Sequence, residues 1–200
     1  MKALTTEELE RRAEITTDTC SGIQPMHMAF YRLSMTYSAE RALAAFELYD
    51  HLIKQGADAS SLIGAVQEAI GHIAALSRYF WPSPAGKKNK QHALRMARGK
   101  KLREHLGLTD DSPLADRELR NAWEHFDEKL DTYVLSNDAG YFFPTPLMDS
   151  HTLADEAVGK IFKLIDVKNE CLVLLGKKFF FRPLRDELER VFSQHEELEL

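Results

Sequence analysis

Residues 60–82 constrain this chain more than any other stretch. Leu62, Val66, Ala69, Ile70, Ile73, Leu76, Ser77 and Phe80 recur at three- and four-residue steps, which places them on one side of a helix. Trp81-Pro82 stops the run, because proline disfavours helical backbone in the residue before it, and Ser60 or Ser61 can cap its start. A helix with so broad an apolar side must be covered by others. The spacing predicts a first cover over residues 26–55, where Phe30, Leu33, Tyr37, Ala44, Leu48 and Leu52 track one side and Gly56 closes the helix. A short turn pairs these two helices antiparallel.

The rest of the chain fits a mainly α protein. One domain over residues 1–200 is expected, with a helical bundle core over 1–135 and a small α+β appendage over 136–200. A hydrophobic share of 44% and a charged share of 28% are ordinary for a globular chain, and no run of eighteen apolar residues suggests a membrane span. The first residues, Met1-Lys2-Ala3-Leu4, lack the apolar core of a signal peptide, so the expected location is cytoplasmic, with no membrane partner. Cys20 and Cys171 form neither a disulfide framework nor a zinc knuckle and are structural or incidental. Residues 7–15 are helical in composition but poor in apolar side chains, as in an arm docked on the bundle or on a partner subunit.

The net charge of −5 excludes a generic nucleic-acid coat, yet the charge is unevenly spread. Lys87, Lys88, Lys90, Arg95, Arg98, Lys100, Lys101 and Arg103 all precede the next acid, Glu104. A helix is predicted over residues 89–106, with Leu94, Ala97 and Leu102 inward and Gly99 as a weak point. Two uses fit this basic run: tracking phosphates, with Arg98, Lys100, Lys101 and Arg103 as RNA-binding residues, or answering Asp110, Asp111, Asp116 and Glu118. Glu68 and His72 stand one turn apart, but no second such pair accompanies them, so no metal and no other cofactor is expected.

Beyond residue 131 the character changes. Thr132 to Leu135 read as the start of an extended segment. Tyr141-Phe142-Phe143-Pro144-Thr145-Pro146-Leu147, with two prolines, cannot be a helix interior and either packs on the core or lines a site. A β-meander is predicted from residues 161–165, 170–175 and 178–181, with turns at 166–169 and Gly176-Lys177. A last helix opens near Pro183 and runs through Leu184, Leu188, Val191 and Phe192 into an acidic tail.

Chemistry and structure can both be read in residues 112–131. Ser112, Pro113, Asp116 and Glu118 are helix-start residues, so a helix is predicted from Pro113. Leu119, Ala122, Trp123, Phe126, Leu130 and Tyr133 form its core stripe. Arg120 and His125 lie about 140° apart and clear of that stripe, with Asn121 and Glu124 between them. A solvated face accounts for this much: Asp116, Arg120 and Glu124 form an i, i+4 ladder, as do Asn121 with His125 and His125 with Lys129.

Arg120-Asn121-x-x-x-His125 also resembles the R-x4-6-H motif of the HEPN (higher eukaryotes and prokaryotes nucleotide-binding) superfamily. Ser77-Arg78-Tyr79-Phe80-Trp81-Pro82, Arg98-Gly99-Lys100-Lys101-Leu102-Arg103 and residues 119–131 resemble a bacterial HEPN-like group, over residues 26 to 135 or so. The resemblance implies an antiparallel helical bundle and metal-independent cleavage of RNA, toxin-like or in stress response. It implies that His125 moves protons at the 2′-hydroxyl or the leaving 5′-oxygen, that Arg120 clamps the phosphate, and that Asn121 orients phosphate or imidazole, with Glu124 and Asp127 in support. It further implies a homodimer, because one helix holds Arg120 and His125 beyond hydrogen-bond distance and a second copy closes the gap. A non-catalytic HEPN-like module that binds RNA, nucleotide or a protein partner, such as an antitoxin, is the alternative.

Overall fold

The computed structural model describes residues 4–83, 88–156 and 158–193. Lys87 of the basic run and the acidic tail beyond 193 lie outside them. The chain is mainly helical, with a small strand region and a final helix at its C-terminal end: α1 (Thr6–Cys20), α2 (Met28–Lys54), α3 (Ala59–Phe80), α4 (Lys90–His105), α5 (Glu118–Glu124), α6 (Phe126–Ser136), six short strands and α7 (Arg182–Ser193).

The centre is α3. All eight apolar-stripe residues named from its sequence are buried, and its start is capped by Asp58, whose Oδ1 accepts the Ser61 N–H at 3.0 Å, rather than by Ser60 or Ser61. By length and a mean hydropathy of 1.2, α3 is also long and apolar enough to cross a membrane, but 56% of that window is buried inside the protein. The apolar side is used on α2.

On α2 the predicted side is the wrong one. Phe30, Leu33, Tyr37, Ala44 and Leu48 face outward, and the buried side is Met35, Ser38, Ala39, Ala42, Ala45, Phe46 and Tyr49. Both sets recur at helical steps, so periodicity could not choose between them. Packing decides: the small residues Ser38, Ala39, Ala42 and Ala45 let the α2 backbone come close to a wide apolar helix, which a row of large side chains would hold off.

Helix α4 closes the other side of α3 by equally close approach. A Cβ on Gly99 would stand 2.5 Å from the Phe80 carbonyl oxygen and 2.8 Å from Pro82 Cδ, so this glycine is a contact point and not a weak one. Gly22, at φ +86°, lies likewise against the backbone of Leu94 and Arg98 and joins α1 to α4. Of the predicted inward residues of α4, Leu102 is buried while Leu94 and Ala97 are partly covered. Pro82 prevents α3 from continuing, and arginines take the carbonyls left over. Arg98 Nη2 donates to Arg78 O at 3.1 Å, Arg103 Nη1 to Phe80 O at 2.5 Å and Arg117 Nη2 to Trp81 O at 2.6 Å.

Beyond α6 the strands are β1 (Tyr141–Phe143), β2 (Leu147–Met148), β3 (Gly159–Ile161), β4 (Lys163–Asp166), β5 (Cys171–Leu174) and β6 (Lys177–Phe180). Strands β4, β5 and β6 form the expected antiparallel meander, with β2 added parallel to β4. The first predicted strand divides at Phe162: its N–H bonds Phe143 O and its carbonyl accepts the Leu175 N–H, so Ile161 belongs to a separate parallel pair, β1 with β3. Residues 132–135 are helical, not extended. Their β-branched residues suggested strand, but Thr132 and Ser136 hydroxyls bond helix carbonyls at 3.1 and 2.7 Å and Asn137 Nδ2 donates to Tyr133 O, which finishes α6.

The appendage shares the bundle's core. Phe181 stacks on Phe46 and meets Tyr49 edge-on, and Leu188 and Val191 of α7 are buried with them. Arg185 seals the contact, donating to both Asp50 oxygens at 3.0 and 2.6 Å and to Glu170 at 3.3 Å. Below the sheet, Asp166 is 4% exposed. Burial opposes its charge, but the His151 backbone N–H, the Asn169 amide, the His151 ring and the Asn169 N–H hold its carboxyl well below the ordinary value of 3.8.

Gly99→Ala is expected to destabilise the protein by about 1–3 kcal/mol through that backbone collision, read as a fall in melting temperature. Because the Asp166 pKa is lowered by folding, its contribution is whole above the ordinary carboxylate value and is lost as pH falls toward the folded one. Wild-type melting temperature should therefore drop more steeply than that of Asp166→Ala as pH is lowered below 3.8, and equal slopes would refute the account.

Candidate functional site

The motif residues do not share one regular helix. Residues 113–115 form a separate 3₁₀ turn capped by Ser112, whose hydroxyl donates to Glu187 of α7 at 2.8 Å. Asp116 is extended, and its Oδ1 accepts the Glu118 N–H at 2.7 Å, so the helix carrying the motif begins five residues later than Pro113. Seven residues on it breaks. His125, at φ −119° and ψ 36°, ends α5 and opens α6, although its N–H still bonds Asn121 O and its carbonyl accepts the Lys129 N–H. No proline or glycine stands there. The break lets Phe126 turn to meet Phe162 edge-on at 5.5 Å.

Arg120 is nearly covered, with its side chain 14% exposed. One Nη2 donor reaches Asn121 Oδ1 at 3.3 Å, Nε stands 3.7 Å from Glu124 Oε2, and that Nε has no hydrogen-bond partner. Burial pushes the guanidinium's pKa down, Glu124 raises it, and Arg117 and Arg78 lower it. Glu124 is shared, since its Oε1 accepts from Arg78 Nη2 at 2.5 Å. Arg78, Arg120 and Glu124 line a groove of about 250 Å³ between α3 and α5, with Gln67, Ile70, Gly71, Ala74 and Trp123 completing its wall. Trp123 Nε1 is a second buried donor with no partner. Two arginines lining a groove suit an anion with several acceptor oxygens.

His125 is not among the residues lining this groove. Its imidazole is 56% exposed, 3.8 Å from Glu128 Oε2, and Asp127 beside it is exposed as well. The structure thus brings together Arg120, Asn121 and Glu124, leaves His125 and Asp127 outside, and adds Arg78 and Trp123. Lys163 also joins this neighbourhood. Its ammonium lies 4.8 Å from the ring centres of Trp123 and Phe126 and 5.1 Å from that of Phe162, and burial lowers its pKa. A charge in the middle of Ile161-Phe162-Lys163-Leu164-Ile165 was the sequence signal for it.

The four residues of α4 expected to bind RNA are placed differently from one another. Arg98 lies between the rings of Tyr31 and Tyr79, at 5.7 and 5.6 Å, as well as donating to Arg78 O. Arg103 covers Trp81, and Lys101 donates to the carbonyls of Cys20 and Ile23 at 3.2 and 3.5 Å. Lys100 is exposed and 3.7 Å from Glu104. Three of the four thus bind the fold's own carbonyl oxygens. Glu68 is taken by Arg41 at 2.6 Å, and among the described residues no cluster of three or more His, Cys, Asp or Glu is arranged to hold a metal ion.

No protein-family model, curated protein or solved structure matches this chain at a significant level. Inorganic phosphate titrated into the protein is expected to change the fluorescence of Trp123, with the response lost in Arg120→Ala and in Trp123→Phe. A response that survives Arg120→Ala would place the anion elsewhere.

Proposed function

We propose that this chain is a HEPN-like, metal-independent endoribonuclease, toxin-like or acting in stress response, working on RNA as a homodimer. The observation that carries this reading is the largely covered Arg120, which lines a groove beside Arg78, with an exposed imidazole at the end of the same short helix. A phosphodiester in the groove meets the two guanidiniums. The RNA 2′-oxygen attacks phosphorus, the bond to the 5′-oxygen breaks, an imidazole takes the proton of the 2′-hydroxyl and returns one to the leaving oxygen, and Arg120 holds the charge gathering on the phosphoryl oxygens. The products are a 2′,3′-cyclic phosphate and a 5′-hydroxyl. Since His125 stands outside the groove of its own chain, the imidazole comes from a second copy.

A second reading, a module that binds RNA, nucleotide or a protein partner without cleaving, is favoured by one observation. Glu124 lies between Arg78 and Arg120 and already neutralises part of their charge. RNA incubated with the protein in excess EDTA decides between them. Cyclic-phosphate ends should form, and His125→Ala or Arg120→Ala should slow their formation by at least about 100-fold while melting temperature stays near wild type. A wild type that binds RNA and leaves it intact establishes the second reading.

A further inference from the structure

The side of α2 turned away from α3 carries a continuous row of large apolar residues. Met26, in the turn just ahead of the helix, and Phe30, Leu33 and Tyr37 on it are 77, 69, 64 and 62% exposed. Single apolar residues on a surface need no explanation, but a contiguous row of this size marks a contact. Steps of four, three and four residues keep the row straight along one side of the helix. Its Tyr37 end rests edge-on against His72 of α3, 6.4 Å between centroids, next to Gly71, which lines the Arg120 groove.

The spacing itself selects the occupant. The steps are the same from either end, so the row matches a copy of itself laid antiparallel across it, with Met26 against Tyr37 of the partner subunit and Phe30 against Leu33 of the partner subunit. These are a and d places of a heptad, where apolar knobs enter the gaps of a facing helix. A two-fold contact requires this self-matching. The area agrees. Two aromatic side chains that can each bury about 150–250 Å², with a methionine and a leucine, amount to several hundred Å² per copy at these exposures, and doubling this across the axis approaches the roughly 1,000 Å² at which specific interfaces begin.

We propose that two copies of this chain associate through an antiparallel contact between their α2 helices, built from Met26, Phe30, Leu33 and Tyr37 and centred between Phe30 and Leu33. The contact gives a surface to the self-association that the ribonuclease reading requires, and rests on that reading for its purpose alone.

The test is the mass of the full chain in solution, by light scattering and sedimentation. Wild type is expected as a dimer, and Phe30→Glu with Leu33→Glu as a folded monomer with the helix content of wild type by circular dichroism, both positions being exposed. Orientation is tested by Met26→Lys and Tyr37→Glu. Each alone should weaken the dimer by about tenfold or more, and mixing the two should restore it, because only an antiparallel pairing sets the new lysine against the new glutamate. A monomeric wild type, a dimer untouched by the double glutamate variant, or mixing without recovery overturns the proposal. The mass measurement uses no RNA, so a dimer that separately leaves RNA intact upholds the contact and removes the ribonuclease reading, whereas a dimer that cleaves RNA and is untouched by the double glutamate variant removes the contact and leaves that reading standing.

Discussion

The carbonyl end of α3 is the constraint from which the rest of the bundle follows. A 22-residue helix that stops at a proline leaves polar oxygens beside a hydrophobic core, and leaving them unanswered would cost about 1–3 kcal/mol each. Arginines from two separate segments, residues 98, 103 and 117, answer them. That use fixes how α4 lies on α3. It also brings Arg117 to the C-terminal end of α3 one residue ahead of α5, and so positions the motif helix. Charge that a linear reading assigns to a ligand is here part of the architecture.

The helical bundle was legible because α3 has one wide apolar side and no competing one, and the meander because turn residues bracket β-rich runs. The inner face of α2 was not legible. Phe30, Leu33, Tyr37 and Leu48 point outward, while Ser38, Ala39, Ala42 and Ala45 lie inward beside Met35, Phe46 and Tyr49, selected by how closely two backbones approach, a quantity no single helix encodes. The interruption at His125 was hidden for a related reason. No helix-breaking residue marks it, and the contact it allows, Phe126 on Phe162, lies between residues thirty-six apart in the chain.

Within the candidate site, spacing put Arg120, Asn121 and Glu124 on one face because consecutive turns of one helix hold them, but only the resemblance marked that face as a site. Arg78, on α3, came only within the wider resemblance, and Lys163, on a strand, was missed, its one signal being a charge inside an apolar run. The groove combines attraction and restraint: two guanidiniums favour an anion, while Glu124 occupies part of the same field. An anion entering there competes with a carboxylate already in place.

Lys163 links the two halves of the chain. It belongs to a sheet, yet two of the three rings it touches flank the helix interruption at His125, one on each side. The sheet therefore acts as a splint, and a load applied to the hairpin of β5 and β6 would be felt first as a change of bend in the motif helices.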